Sequence, residues 1–77
     1  MEKLRKIINQ IRYNKDLPEI KNLFHDMDLR NDLGFDSLDL AELTVRIEYE
    51  FGIDVFEDGI VLTVGDVIKK LEKINNG

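Results

Sequence analysis

Apolar residues recur along the first part of the chain at the spacing of a helix. Leu4 is followed three, four and seven positions later by Ile7, Ile8 and Ile11, and this spacing places all four side chains on one helical face. The pattern predicts a first helix from Glu2 to about Tyr13. We expect this helix to bury its apolar face and to expose its basic side chains.

A long connection, residues 14–36, separates the first helix from the next one. Its opening sequence, Asp16-Leu17-Pro18, predicts a short turn that Asp16 caps and that runs to Phe24. Apolar residues follow every few positions, so we expect the connection to pack across the helices instead of forming a free linker. These residues are Leu17, Ile20, Leu23, Phe24, Met27, Leu29, Leu33 and Phe35.

The middle of the chain predicts a helix with two apolar faces. It runs from Ser37 to about Phe51 and ends at Gly52, because glycine readily adopts the left-handed conformation that follows many helices. The face that we expect to be buried consists of Leu40, Leu43, Ile47 and Phe51. The opposite face, called the outer face below, consists of Leu38, Ala41, Val45 and Tyr49. The outer face is either covered by the long connection or the short turn, or it is a docking surface rimmed by charge.

A last helix is predicted after an irregular segment, residues 53–62. Thr63 and Asp66 have the spacing of a capping pair at its start. Its apolar face consists of Val64, Val67, Ile68, Leu71 and Ile74. One short helical turn is expected near Asp58-Gly59, inside the irregular segment. The whole pattern predicts an all-α fold with three main helices in a single domain, residues 1–77.

Charge is distributed unevenly along the chain. The formal net charge is −5, with 35% charged and 43% hydrophobic residues, a balance that fits a folded globular domain. Residues 1–15 contain five basic residues and one acidic residue, whereas residues 26–66 contain twelve acidic residues and two arginines. The acidic part would repel nucleic acid and anionic lipid and would attract a basic protein surface.

Missing residue types narrow the classes of function further. The chain has no cysteine, hence no disulfide and no thiol of its own, and the single His25 cannot form a zinc site alone. No apolar run has the length of a membrane span and no signal-peptide pattern is visible, so a cytoplasmic location is expected. A chain of 77 residues also has few residues with which to enclose a catalytic pocket. We therefore expect no enzyme and assign no catalytic residue.

Ser37 lies at the predicted start of the central helix, after a tight turn at Gly34. In a purely structural interpretation, Asp36 or Ser37 caps the helix and Asp39 interacts favourably with the helix dipole. A functional interpretation is also open, because the free N–H groups and the dipole at a helix start favour a phosphate. In either case we expect the Ser37 hydroxyl to be exposed.

The residues around Ser37 form a recognisable motif. Residues 32–43 have the sequence DLGFDSLDLAEL and are followed by Ile47-Glu48 and Phe51-Gly52-Ile53. Together with the amphipathic first helix, the long connection and a last helix opened by Thr63, this motif closely resembles the acyl carrier protein family. The resemblance covers the chain from end to end.

The resemblance implies a fold, a cofactor and partners. The fold would be a small four-helix bundle: the three main helices plus one short helical turn, with a long loop between helices one and two. Ser37 would carry 4'-phosphopantetheine from coenzyme A, whose thiol binds an acyl group as a thioester. Partners of this monomer would be a phosphopantetheinyl transferase and acyl-loading and acyl-processing enzymes with basic docking surfaces, but neither nucleic acid nor membrane. The partner contacts map onto Asp36, Leu38, Asp39, Ala41, Glu42, Val45 and Glu48.

Alternatives stay open at this point. The acyl group could belong to fatty acid, lipid or polyketide synthesis, and another alternative is a peptidyl carrier of a peptide synthetase. An unmodified helical interaction module with the carrier fold also fits the sequence. Calcium-binding loops beginning at Asp26 or Asp54 fail on ligand positions, and no Ser, His and Asp arrangement of a hydrolase is visible. We expect Ser37 to be an acceptor for which a transferase brings base and metal.

Overall fold

Three helices form the regular secondary structure of the described residues. The computed structural model describes residues 2–57 and 59–76, except for the side chains of residues 73–76. No helix in this part of the chain is both long enough and apolar enough to cross a membrane. The predicted all-α fold is confirmed. The helices are α1 (Glu2–Asn14), α2 (Ser37–Phe51) and α3 (Val64–Asn76).

The segment between α2 and α3 contains a turn and, in its described residues 53–57 and 59–63, no fourth helix. The N–H of Glu57 donates to the carbonyl oxygen of Asp54 at 3.3 Å, and the N–H of Phe56 donates to the Asp54 carboxylate at 2.9 Å. An aspartate that binds the following backbone in this way competes with helix formation. Asp58 lies outside the described residues, so the turn expected near Asp58-Gly59 is described only in part. The four-helix bundle is not confirmed.

The end of α1 differs from the prediction at Asp16. The N–H of Asp16 donates to the carbonyl oxygen of Tyr13 at 3.0 Å, and that of Leu17 donates to Arg12 at 2.9 Å. This pair of hydrogen bonds is a Schellman motif, with Asp16 at a φ of 61° in the position where glycine is usual. Asp16 therefore ends α1. The prediction that it caps a short turn running to Phe24 was wrong, because residues 17–24 are irregular.

The core lies between the helices and below the long connection. Leu43 and Ile47 of α2 are completely shielded from solvent, and Leu40 and Phe51 pack partly buried against the same core. The predicted core face of α2 is thus confirmed. Phe24 was expected to pack but is exposed, and the side chain of Ile74 lies outside the described residues. The other buried apolar residues are Leu4, Ile7, Ile8, Ile11, Leu29, Leu33, Phe35, Val55, Val61, Val64, Val67, Ile68 and Leu71.

Polar side chains of α1 bind the backbone of the long connection. Asn9 donates to the carbonyl oxygen of Ile20 at 2.9 Å and accepts from its N–H at 2.7 Å. Arg12 donates through Nη1 to Leu33 and through Nε, at 3.1 Å, to Pro18. Arg12 is only 7% exposed, so the expectation that α1 exposes its basic residues was wrong for Arg12. Its guanidinium satisfies carbonyl groups of the buried connection instead.

Backbone hydrogen bonds join the end of the connection to the start of α3. Three N–H groups donate at 2.9 Å: Leu29 to Leu62, Val64 to Met27, and Gly65 to His25. At the same place Thr63 Oγ1 accepts from the N–H of Asp66 at 3.1 Å, and the Asp66 carboxylate accepts from Thr63 at 3.1 Å. The predicted capping pair is confirmed. These bonds fix the connection against α3 immediately before the start of α2.

Gly65 is required by the close approach of the connection to α3. A Cβ at this position would lie 2.9 Å from the carbonyl oxygen of His25 and 3.3 Å from its Cβ. We expect Gly65→Ala to destabilise the protein by about 1–3 kcal/mol, since displacement of backbone outweighs the better helix propensity of alanine. Thermal unfolding followed by circular dichroism would measure this, with the exposed Lys69→Ala on the same helix as control. A Gly65→Ala protein more stable than the parent would contradict the close contact.

Candidate functional site

The start of α2 is held by a capping box. Asp36 is the N-cap: its carboxylate accepts from the N–H of Asp39 at 2.9 Å, and the Asp39 carboxylate accepts from the N–H of Asp36 at 3.0 Å. Gly34 precedes it with a φ of 75°, which favours glycine. Of the two caps that the sequence allowed, the structure has Asp36, so Ser37 becomes the first helical residue.

Ser37 is exposed at this helix start, as predicted. The N-cap bond uses the Asp36 carboxylate, so the Ser37 hydroxyl is not needed to end the helix. No hydrogen bond to this hydroxyl is found among the described residues. The backbone N–H groups and the helix dipole at this end contribute a positive potential near Ser37, beside the carboxylates of Asp36 and Asp39. A hydroxyl placed here is available to an external group.

Lys15 contacts both acids of the capping box from the end of α1. Its Nζ donates to the Asp39 carboxylate and, at 3.0 Å, to the carbonyl oxygen of Gly34, and it lies 3.9 Å from Asp36 Oδ2. The hydrogen bond to Asp39 raises the pKa of the Lys15 ammonium. Burial would raise the pKa of the Asp39 carboxyl, but hydrogen bonds from Lys15 and Asp36 outweigh burial and hold this pKa below its ordinary value. Both groups are charged at neutral pH.

A largely apolar groove begins at Ser37. Its volume is about 700 Å³ and it lies between α2 and the segment from Phe56 to Leu62. Ser37 and Arg30 are among its few polar lining residues. Ile60 and Leu62 line it while remaining exposed. The remaining lining residues are Leu40, Ala41, Thr44, Val45, Phe56, Gly59 and Val61. The groove was missed by the sequence analysis, which treated residues 53–62 only as an irregular segment.

The outer face of α2 is open to solvent. Leu38 is 81% exposed and Val45 is 65% exposed, and Ala41 and Tyr49 are also exposed. The interpretation that the long connection or the short turn covers this face is wrong, because all four of its side chains are exposed. An apolar strip left in water and continuous with a groove is typical of a binding surface.

The acidic residues predicted to contact partners lie in different environments. Asp36 and Glu48 are exposed, whereas the Asp39 side chain is only 13% exposed and is bound to Lys15. Glu42 is half-buried and accepts from Arg46 Nε at 2.8 Å. Glu50 also lies one helical turn from Arg46, but the structure pairs Arg46 with Glu42. The free acidic charge near Ser37 is therefore smaller than the sequence suggests.

Acidic side chains in the turn before Gly34 bind backbone N–H groups. One carboxylate oxygen of Asp28 accepts from the N–H groups of Arg30 and Asn31, each at 2.8 Å. The Asp32 carboxylate accepts from the N–H of Asp28 at 2.7 Å. These acids shape the turn that leads to Gly34.

Comparisons with known proteins agree with this geometry. A family described as "Phosphopantetheine attachment site" matches residues 14–71, well over half of the chain. An acyl carrier protein of Sinorhizobium fredii and the acyl carrier protein AcpP of Rhizobium meliloti are each 49% identical over 45 residues. The alignment spans 56% of this chain but only 58% of each relative. The resemblance to acyl carrier proteins and the covalent phosphopantetheine cofactor predicted from the sequence are both confirmed, and the chain belongs to the phosphopantetheine attachment site family.

Proposed function

We propose that this protein is an acyl carrier whose phosphopantetheine arm is attached to Ser37. The observation that supports this most strongly is the position of Ser37: it is exposed, it is the first residue of α2, and it borders the apolar groove. An attachment residue must be reachable by a second protein and must leave its arm free to move. The other residues of the site fit the group, since a phosphate is favoured at a helix start.

Ser37 acts as an acceptor in this proposal and does not catalyse a reaction. Its Oγ attacks the phosphorus of coenzyme A that is attached to the pantetheine part, and the bond to the bridging oxygen of the pyrophosphate breaks. The adenosine bisphosphate part leaves, and a phosphodiester to Ser37 forms. The hydroxyl proton goes to a base of the transferase, because no described side chain contacts the Ser37 hydroxyl. When bound, the arm supplies a thiol that holds an acyl group as a thioester.

The groove beside Ser37 offers this protein a place for an acyl chain. A thioester on a flexible arm brings its acyl chain within reach of Leu40, Val45 and Phe56, which line the groove. Removal of an apolar chain from water is favourable by about 0.8 kcal/mol per methylene group. The groove supports an acyl load over an amino acid load, and therefore a carrier of fatty acid, lipid or polyketide synthesis over a peptidyl carrier.

Partner proteins are proposed to dock on the outer face of α2. Leu38, Ala41 and Val45 would make the apolar contacts, and the exposed carboxylates of Asp36 and Glu48 would attract basic docking surfaces. Glu42 would contribute through its pair with Arg46. The partners are a phosphopantetheinyl transferase and enzymes that load and process acyl groups. We place this monomeric carrier in the cytoplasm, where coenzyme A and these enzymes meet.

The proposed attachment is tested by intact mass after incubation with coenzyme A and a phosphopantetheinyl transferase. We expect the parent protein to gain the mass of one arm. Ser37→Ala is expected to gain none, because it lacks the accepting oxygen while the Asp36 cap of α2 stays in place. Circular dichroism of Ser37→Ala checks that α2 is still folded.

A parent protein that gains no arm with several such transferases would favour the unmodified interaction module. An arm on Ser37→Ala would place the attachment at another residue. Peptide mapping of the modified protein distinguishes these cases by locating the added mass.

A further inference from the structure

Lys15 connects the end of α1 to both sides of Ser37. Its acceptors are the carbonyl oxygen of Gly34, three residues before Ser37, and the carboxylate of Asp39, two residues after it. The backbone of Lys15 is itself fixed, because its N–H donates to the carbonyl oxygen of Arg12 at 3.0 Å. The side chain thus holds the turn before Ser37 and the first turn of α2 in one geometry.

Lys15 also compensates the negative charges of the two carboxylates at the start of α2. Asp36 and Asp39 place two carboxylates next to each other in the capping box. Among the described residues, Lys15 is the cation that lies within 4.0 Å of them. A phosphodiester on Ser37 adds a further negative charge at the same helix start. Without Lys15 this charge would have to form beside two acids that no described cation contacts.

We propose that Lys15 is a positioning residue for arm transfer: it holds Gly34, Asp36 and Asp39 so that the Ser37 hydroxyl meets the attacked phosphorus in one fixed orientation. This inference rests on the proposed attachment to Ser37. Lys15 lies at the end of α1 and is not part of the outer face of α2. Its loss therefore affects the reactive geometry more than docking of the transferase.

Steady-state kinetics of arm transfer distinguish the two effects. We expect Lys15→Met to lower kcat by about ten-fold, since small displacements of a reacting group have effects of this size or larger. The KM for the carrier should change less than about two-fold, because the apolar outer face and Glu48 are intact and Asp36 loses only a cation 3.9 Å away. Lys15→Arg should recover most of kcat, since it restores a cation that can reach the same acceptors.

Hydrogen exchange of the unmodified protein tests whether Lys15 holds the start of α2, without any measurement of arm transfer. The N–H groups of Asp39 and Leu40 bind the Asp36 side chain and carbonyl group, each at 2.9 Å. We expect their hydrogen exchange to become faster in Lys15→Met, while exchange in α3 changes less. Ile8→Val provides the matched control, because it weakens the core away from Ser37 and should leave kcat unchanged.

The contact between Lys15 and Asp39 can also be removed by a change of Asp39. Asp39→Asn keeps an oxygen for the N–H of Asp36 but loses the charge that Lys15 binds. If Lys15 acts through Asp39, the double variant Lys15→Met/Asp39→Asn loses little more kcat than Lys15→Met alone.

Three results would overturn the positioning role: a Lys15→Met protein with kcat within two-fold of the parent, a Lys15→Arg protein as slow as Lys15→Met, or an equal loss of kcat in Ile8→Val. Failure of the proposed function looks different, because the parent protein would then gain no arm at Ser37 at all.

Discussion

An Arg12→Met protein is expected to lose about 3 kcal/mol of unfolding free energy, because hydrogen bonds from a charged group contribute about 1.5–3 kcal/mol each. Arg12 is 7% exposed and donates to the carbonyl oxygens of Leu33 and Pro18. Methionine keeps the apolar contacts of the side-chain stem but leaves both carbonyl groups without their donor. For a domain of this size the midpoint of thermal unfolding should fall by about 12–24 °C.

Two further variants make this measurement specific to Arg12. Lys6→Met removes a basic group from an exposed position of the same helix and should change the unfolding free energy by less than about 0.5 kcal/mol. Arg12→Lys should be intermediate, because an ammonium cannot reproduce the planar fork of a guanidinium. An Arg12→Met midpoint within about 3 °C of the parent would mean that water satisfies the two carbonyl groups equally well.

Truncation of Leu43 to alanine is expected to cost roughly 2–5 kcal/mol, the range for removing buried aliphatic side chains. Leu43 is completely buried between α2 and the other helices, whereas Val45, two residues along, is 65% exposed on the outer face. Val45→Ala should change stability by less than about 0.5 kcal/mol, since it creates no cavity. Chemical or thermal unfolding of the two variants compares the two faces of one helix directly.

The same pair of variants tests the docking surface. Val45→Ala is expected to raise the KM of the transferase for the carrier by about five-fold, the loss expected for an apolar interface contact of about 1 kcal/mol. The helical circular dichroism signal should stay unchanged. If Val45→Ala destabilises the protein as much as Leu43→Ala, and arm transfer follows stability alone, the outer face is a second core face and the docking proposal fails.

The helices and the start of α2 could be predicted because their signals are local. The spacing of Leu43 and Ile47 identifies a buried face without knowledge of its contacts. Thr63 and Asp66 lie within one helical turn of each other, so their capping pair is visible in the sequence. The choice between Asp36 and Ser37 as N-cap was not decided by the sequence, because both residue types cap helices well.

The contacts that the sequence did not predict join residues far apart in the chain. Arg12 binds the carbonyl oxygen of Leu33, and Lys15 binds Asp39. Sequence patterns place arginine and lysine in solvent by default, since charged residues are seldom buried without partners. A buried partner can be recognised only after the connection has been folded onto α1. The groove could not be predicted for the same reason. Ile60 and Leu62 lie far from most of α2 in the sequence, and only the folded structure brings them next to it.

Asp16 shows a different limit of prediction from sequence. Its short polar side chain, followed by Leu17-Pro18, is typical of a helix start as well as of a turn. Aspartate also tolerates the left-handed conformation better than most residues do, and the structure uses it in this way to end α1. Whether Asp16 begins a turn or ends α1 depends on how the following residues pack, and the residues next to Asp16 in the sequence do not determine this packing.

The hydrogen bonds between the long connection and the start of α3 have a mechanical consequence. They join Leu29 to Leu62, Met27 to Val64 and His25 to Gly65, so all of α2 lies inside the loop that they close. A pulling force applied at the two ends of the chain would pass through these three bonds before it reached α2. The bonds would open one after another, beginning at His25, as in unzipping. Along the backbone, tension would therefore reach the helix that begins at Ser37 only after these bonds had opened, and until then α2 would be loaded through its contacts with α1, such as that between Lys15 and Asp39.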